Sequence, residues 1–375
     1  MRLLFAIADM DCRGGAHVAT LAMVDALRHR GHVVDIFSSE GAASHSFVRR
    51  GLFDVLSDRR CSFREKAERI GVAFCKIFGV RYREISRGEE CRLAEQAERY
   101  DRLVVMGENS PYRYVAARLR TVRTVLLVHT DLSGRRRFLG GWRMREKDYD
   151  SVYAKIGVIG VVGRINAEEF QRQHSDLKVL AFHNLIVPSK VRRGDRPLDG
   201  TRLISVVSLV RFDRNKDVAR MVRVAAALKS RFGGCFRWTV WGDGELFGRT
   251  AALVRKLGVD DVIVLPGYDP RAASRLGEYD LMVLASHYEG LPNVIYESMS
   301  AGVPVLTTAV GGVSEQVTDG VNGWLAADDE VALTDKLGEI VAEPAMLWRA
   351  TDNLRDYHYD NRGVVDEMEE LLNAD

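Results

Sequence analysis

Short apolar runs recur along this chain, and each is followed by a stretch with the length and pattern of a helix. Runs of this kind are typical of parallel strands that are buried on both faces and joined by crossover helices. In the first half the predicted strands are Leu3–Ala8, Val33–Phe37, Leu103–Met106, Val125–Val128, Ile156–Val161 and Val179–Phe182. In the second half they are Leu203–Leu209, Trp238–Gly244, Val262–Tyr268, Asp280–Ala285 and Val303–Thr308. The sequence therefore predicts an α/β protein.

The strand series is interrupted once, between Pro188 and Gly200, where prolines and charged residues replace the apolar pattern. A chain of 375 residues is also long for one hydrophobic core and suits two domains. We predict an N-terminal domain over 1–187, a C-terminal domain over 188–350, and a terminal segment, 351–375. In that last segment, Val364–Leu372 is the candidate for a helix that crosses back to the first domain.

Cysteine content and hydropathy indicate the cellular compartment in which the protein is expected. The five cysteines are an odd number and form no C-x-x-C pair, which argues against a disulfide framework or a zinc site and for a reducing environment. The apolar run at Met1–Ala8 is short for a signal peptide and fits a first strand better. No run is long enough to span a bilayer. We expect a cytoplasmic protein.

The net charge of +2 is unevenly distributed. Residues 1–187 contain 32 Lys and Arg against 23 Asp and Glu, whereas the other 188 residues contain 22 against 29. The first half therefore has a net charge of +9 and the second half −7. A basic half suits an anionic partner, such as anionic lipid or a phosphorylated acceptor.

Two carboxylates flank a predicted turn in the second half. Glu289 follows the strand Asp280–Ala285, and Glu297 lies in the first turns of the next helix, for which Asn293 is the expected N-cap. Ligands of open α/β sheets bind at this edge, and the backbone N–H groups between Leu291 and Val294, of which Pro292 has none, would suit an anion. Carboxylates beside an anion site indicate a polyhydroxylated, phosphorylated ligand.

The segment resembles family 4 of the retaining glycosyltransferases, which have the GT-B fold and an E-x7-E signature. The resemblance extends through Gly302-Val303-Pro304 to Gly311–Glu315. It implies two Rossmann-like domains that face each other across a cleft. It also implies that Glu289 lies beside the donor sugar and that Glu297 accepts hydrogen bonds from the ribose hydroxyls of the nucleotide.

The resemblance assigns the donor diphosphate to Arg211 and Lys216, because two fixed cations would stabilise the charge that develops on the leaving group. The match is imperfect, since Val210 and Asp217 stand where the family usually has glycine. By the same resemblance His129 faces the reacting sugar. The remaining donor-site candidates are Gly14, Gly15, Gly242, Gly267, Gly290, Leu291, Pro292 and Asn293. Glu315 is expected to cap or pack locally.

The segment Ser133–Arg145 is basic and contains interleaved Phe, Leu and Trp. This composition suits either a peripheral contact with an anionic membrane or a solvated loop near the acceptor, and the two interpretations remain open. Nucleic acid fits less well, because the basic residues are scattered and no recognised binding module is present.

The expected reaction is transfer of a hexose from a nucleotide-sugar, with UDP-hexose as the expected donor, to a glycan or lipid-linked acceptor. The resemblance implies retention of anomeric configuration, no cofactor and no required metal. The site lacks a D-x-D pair placed to hold a metal and a diphosphate, and Asp9-Met10-Asp11 lies in the other domain. Two alternatives remain. One is another GT-B enzyme, a sugar-nucleotide epimerase or a phosphorylase, and the other is a non-catalytic GT-B partner subunit.

Overall fold

The computed structural model describes residues 1–8, 14–38, 87–139, 152–186 and 203–374. Its first domain contains strands β1 (Arg2–Ala6), β2 (Val33–Phe37), β3 (Arg102–Met106), β4 (Arg123–Val128), β5 (Val158–Val162) and β6 (Val179–Phe182). The helices of this domain are α1 (Gly15–His29), α2 (Arg87–Ala97), α3 (Arg113–Ala116), α4 (Leu132–Phe138) and α5 (Arg164–Gln173).

The second domain repeats this plan. Its strands are β7 (Ile204–Leu209), β8 (Phe236–Trp241), β9 (Ile263–Gly267), β10 (Leu281–Leu284), β11 (Val305–Thr308) and β12 (Gly323–Ala326). The helices that follow 203 are α6 (Val218–Phe232), α7 (Phe247–Leu257), α8 (Asn293–Ser300), α9 (Glu330–Ala342), α10 (Ala345–Asn353) and α11 (Asn361–Asn373). Two short 3₁₀ helices, Ala272–Glu278 and Gly311–Glu315, complete it.

Both sheets have six strands and are parallel at each described pair, as the apolar runs predict. The strand order is β2-β1-β3-β4-β5-β6 in the first sheet and β12-β11-β10-β7-β8-β9 in the second. In the second sheet the order reverses between β7 and β10. Loops that leave adjacent strands at such a switch point diverge and open a crevice at the carboxyl edge, where ligands bind.

The last helix, α11, packs on the first domain although the chain reaches it from the second. Val364, Met368 and Leu371 are buried in the same apolar cluster as Leu3 and Phe5 of β1. Arg102 of β3 donates a hydrogen bond of 2.8 Å to the carbonyl of Leu372 near the helix end. The predicted boundary at 187/188 and the linker lie outside the described residues, so the division into 1–187 and 188–350 stays a prediction.

The predicted strands are confirmed within three residues at their ends, and β12 is absent from the prediction. β12 spans Gly323–Ala326, and both glycine and alanine are uncommon in strands, so its local pattern is weak. Along the described ranges, no helix is both long and apolar enough to cross a membrane.

Candidate functional site

The loop after β7 and the turn after β10 meet at the switch point of the second sheet. There, Nζ of Lys216 directly contacts Oε1 of Glu289. The two side chains are 17% and 10% exposed. The structure thus brings together two of the predicted catalytic residues as a largely shielded ion pair.

Asn215, which the sequence analysis did not select, holds these two segments in register. Its side-chain amide donates to the carbonyl of Tyr288 at 3.0 Å, and its side-chain oxygen accepts from the Tyr288 N–H at 3.1 Å. Its backbone carbonyl accepts from the N–H of His287 at 3.0 Å. This clamp fixes the backbone on each side of the Lys216–Glu289 pair. An asparagine next to a loop lysine carries no sequence signal for such a role.

Arg211 is placed differently from Lys216. Its guanidinium pairs with Asp213 at 2.8 Å, and its side chain is 64% exposed. No described contact joins it to Glu289. The same Asp213 also accepts a hydrogen bond of 3.0 Å from the backbone N–H of Lys216, so Asp213 contacts both the Arg211 guanidinium and the Lys216 backbone. Arg211 is therefore a solvent-facing cation at the rim of the crevice.

Glu297 lies on α8, in the second turn of the helix. Burial raises the pKa of its carboxyl to about 7. Among the described residues no hydrogen bond or ion pair to this carboxyl is found. A shielded carboxyl without a protein partner is suited to accept hydrogen bonds from a ligand.

Gly290 brings the signature turn into contact with the first domain. A Cβ at this position would lie 2.6 Å from both the carbonyl oxygen of His129 and Cγ1 of Val162, so only glycine fits. Asn166 donates to the carbonyls of Gly290, at 3.1 Å, and Val162, at 2.9 Å. Leu291 is buried in the first domain's apolar cluster. The turn that carries Glu289 is thus docked on the opposite domain.

The assignment of Asn293 as an N-cap is wrong. Pro292 occupies the N-cap position of α8, and Asn293 is the first helical residue. The side chain of Asn293 instead donates to the carbonyl of Gly15 at 3.0 Å and accepts from Asn184 at 2.8 Å. Because both partners belong to the first domain, the amide bridges the cleft. Gly14, the N-cap of α1, places Gly15 at this bridge.

His129 follows β4 at the base of the cleft. It lines a small cavity with Thr20, Asn184 and His183, and in the described structure its two ring nitrogens have no hydrogen-bond partner. Burial lowers its pKa to about 4, so the ring is neutral at neutral pH. A neutral imidazole can both donate and accept a hydrogen bond.

Gly242 and Gly267 lie at the carboxyl ends of β8 and β9 and are joined by a hydrogen bond of 2.9 Å between the Gly242 N–H and the Gly267 carbonyl. Gly242 has φ +139°, and a Cβ there would overlap the carbonyl of Val210. The two turns therefore lie at the same edge of the second sheet as the Lys216 loop.

Glu315 does not cap or pack locally, as the sequence suggested. Its carboxylate accepts hydrogen bonds of 2.9 and 2.6 Å from the backbone N–H groups of Arg164 and Ile165. These groups begin α5, in the first domain. The interpretation failed because a local pattern cannot show which distant helix end a carboxylate will reach.

The basic segment Ser133–Arg145 is described only as far as Leu139. Within that part, Phe138 stacks on His287 of the second domain, with ring centroids 4.5 Å apart. Arg135 pairs with Glu108 at 3.1 Å. Phe138 therefore faces the other domain, and Trp142, Arg143 and Arg145 lie outside the described residues.

In the described part of the chain, no group of three or more His, Cys, Asp or Glu side chains is arranged to hold a metal ion. Asp9 and Asp11 lie outside it. The assembled groups comprise a cation–carboxylate pair, a separate shielded carboxyl and a neutral imidazole. They are suited to hydrogen bonding and to charge stabilisation.

Comparison with known proteins identifies the second domain directly. Residues 196–357 match the family model described as "Glycosyl transferases group 1". The chain is 29% identical, over 145 residues, to the putative colanic acid biosynthesis glycosyltransferase WcaL of Salmonella typhimurium, covering 36% of each protein. It is 35% identical, over 167 residues, to the D-inositol 3-phosphate glycosyltransferase of Nocardiopsis dassonvillei, covering 40% of this chain and 37% of the relative. The matched region thus spans little more than a third of each relative.

Solved structures extend the likeness to the whole fold. A variant of TarM from S. aureus, in complex with fondaparinux, alpha-GlcNAc-glycerol and UDP, superimposes with a TM-score of 0.74 at 12% identity, covering 99% of both chains. HepE from Anabaena, in complex with UDP and glucose, superimposes with a TM-score of 0.71 at 15% identity over the full length of both. The predicted GT-B fold is confirmed. Residues 196–357 thus carry the family resemblance to the group 1 glycosyltransferases that the sequence predicts.

Proposed function

We propose that this protein transfers a hexose from a UDP-sugar, with retention of configuration, to a hydroxyl of a cell-surface glycan or a lipid-linked acceptor. The direct contact between Lys216 and Glu289 at the switch-point crevice carries this proposal. The match to the group 1 family model supports glycosyl transfer, and the names of WcaL and other relatives support an acceptor in polysaccharide biosynthesis. The bound UDP of TarM and HepE supports the choice of nucleotide.

Each assembled group has a role in this reaction. Glu289 orients Lys216 so that its ammonium binds the donor diphosphate. The diphosphate then replaces part of the contact between Lys216 and Glu289. Glu289 then accepts from sugar hydroxyls. Arg211 at the rim supplies a second cation to the leaving group. Preorganised charges of this kind stabilise the negative charge that builds up as the glycosidic bond breaks.

The other groups orient the donor. Glu297 accepts from the ribose hydroxyls, and the backbone turns at Gly242 and Gly267 frame the base. His129, which is neutral, hydrogen-bonds to the sugar. The departing phosphate oxygen takes the proton of the attacking acceptor hydroxyl, which bonds to the anomeric carbon on the same face. No protein nucleophile is invoked.

The presence of this set also bears on the alternatives. A non-catalytic partner subunit has no need of a shielded Lys216–Glu289 pair, because removing two charges from water costs desolvation free energy and such a pair is weak evidence of a stabilising role. For this reason we favour an enzyme. An epimerase or a phosphorylase would use a similar donor site, so these are distinguished by product.

The proposal is tested with a thermal-shift and binding panel of UDP, GDP, ADP and their sugar conjugates, run with EDTA. We expect stabilisation by UDP and by one or more UDP-hexoses, independent of EDTA. A shift only with GDP or ADP compounds would show that the donor is a GDP-sugar or an ADP-sugar and not a UDP-sugar. No shift with any of them would contradict the donor site. Formation of free or rearranged sugar without an acceptor, or a requirement for inorganic phosphate, would favour the alternatives.

A further inference from the structure

Glu315 lies in the second domain, yet the described partners of its carboxylate belong to the first domain. The N–H groups of Arg164 and Ile165 point at it, and its side chain is only 6% exposed. The first N–H groups of a helix have no partner within the helix. Glu315 therefore acts as the cap of α5 across the domain interface, and the ten-residue helix lacks a side-chain cap of its own.

His183 extends this contact to the last helix. Its Nε2 lies 3.7 Å from Glu315, and its Nδ1 lies 2.7 Å from Glu367 of α11. The carboxylates of Glu315 and Glu367 raise the pKa of His183 to about 9, so the ring is a cation at neutral pH. One imidazolium thus lies between two carboxylates that come from different parts of the chain.

Glu315 is also joined closely to the signature turn. It ends the 3₁₀ helix that Gly311 begins, and the N–H of Gly312 donates to the carbonyl of Gly290 at 3.2 Å. A Cβ on Gly311 would overlap the carbonyl oxygen of Glu289, so the two backbones pack without a gap. Contacts that fix the position of Glu315 therefore also fix the position of the turn that carries Glu289.

We infer that Glu315 and His183 form an interdomain lock that sets the Glu289 turn against the first domain and so directs the sugar to the acceptor hydroxyl rather than to water. Neither side chain contacts Lys216 or the Glu289 carboxylate, so both are positioning residues. In the competing reaction, a water oxygen bonds to the anomeric carbon while the bond to the diphosphate oxygen breaks, which releases free sugar and nucleoside diphosphate. A closed cleft excludes that water. The inference rests on the proposed function.

The test compares the full-length protein with Glu315→Ala, Glu315→Gln and a control, Glu343→Ala, which removes an exposed carboxylate paired only with Arg349 among described contacts. Hydrogen exchange at the Arg164 and Ile165 amides reports the lock without any need for activity. The ratio of free to transferred hexose reports its consequence. We expect Glu315→Ala to speed exchange and to raise that ratio, each by about tenfold, as loss of a capping contact allows. Glu315→Gln, which keeps an acceptor oxygen but loses the charge, should be intermediate.

Unchanged exchange at these amides in Glu315→Ala would overturn the lock. Faster exchange with an unchanged product ratio would overturn its role in directing the sugar. If the wild-type protein neither bound nor consumed any UDP-hexose, the proposed function would fail, and the exchange data would still decide whether the lock exists. Should Glu315→Ala not fold, the same comparison is made with Glu315→Gln.

Discussion

Lys216 and Glu289 are 73 positions apart along the chain, and their side chains are in direct contact at the carboxyl edge of the second sheet. Lys216 lies in the loop after β7 and Glu289 in the turn after β10. Because these strands are neighbours in the sheet, the contact follows from the strand order. It gives the crevice a cation that is already fixed in place before a donor arrives.

Replacing Lys216 by alanine should lower the rate of transfer by about 10²–10³, because one preorganised charge is lost from the leaving-group site. Rates are measured as UDP release with acceptor present, and the fold is checked by thermal unfolding. Lys229→Ala is the matched control, since Lys229 forms an exposed pair with Asp261. Near-normal transfer by folded Lys216→Ala would remove this lysine from the site.

Glu297→Gln should stabilise the protein at high pH. Burial raises the pKa of Glu297 to about 7, above its unfolded value near 4.5, so ionisation of this carboxyl opposes folding. The penalty begins above the unfolded pKa and is complete above about pH 7. At pH 8 we expect the variant to gain about 1–3 kcal/mol in the free energy of unfolding. At pH 4 the two proteins should unfold alike, and denaturant titrations at both pH values measure the difference.

Glu297 should also govern nucleotide affinity. If it binds the ribose, Glu297→Ala should weaken UDP binding by about tenfold or more, as loss of charged hydrogen bonds implies. Affinity of the wild-type protein should rise as pH increases through about 7, because only the ionised carboxylate accepts two hydroxyls. Calorimetric titration measures both effects. Equal UDP affinity in the variant would count against the ribose role.

Gly290→Ala should separate the signature turn from the first domain. Its Cβ would meet the backbone of His129 at 2.6 Å, and a backbone atom cannot move aside cheaply. We expect a loss of about 1–3 kcal/mol in stability together with a loss of transfer. Gly248→Ala in α7, where a Cβ would meet nothing, is the control and should be neutral or slightly stabilising. Equal behaviour of the two variants would contradict the described docking.

The interdomain lock formed by Glu315 and His183 should weaken in alkaline solution. The pKa of His183 is raised from 6.5 to about 9, so its stabilising effect is fully present below the unfolded pKa and is lost as pH rises through about 9. We expect thermal stability to fall between pH 7 and pH 10 by an amount equivalent to about 1–2 kcal/mol. In His183→Gln, the decrease in thermal stability that comes from deprotonation of His183 should disappear. A pH profile of unfolding that is identical in the two proteins would show that the ring does not titrate with folding.

The order of strands and helices was predictable because it depends on local pattern. An apolar run such as Leu281–Leu284 is buried on both faces wherever the chain places it, so its sequence alone predicts a central parallel strand. The signature around Glu289 and Glu297 was also readable, because its spacing is set within one strand–turn–helix unit. On these grounds the fold and the family are accessible without coordinates.

The contacts between domains were decided only by the tertiary structure. Asn293 reads locally as a helix cap, yet its amide bonds to Gly15 and Asn184, and Glu315 caps a helix that begins 151 positions earlier in the chain. A short polar side chain has similar local options at many positions, and its partner depends on which surfaces the two sheets bring together. The sequence by itself therefore determined the fold and predicted which residues bear the donor chemistry. The packing of one domain on the other determined the clamp at Asn215, the bridge at Asn293 and the lock at Glu315.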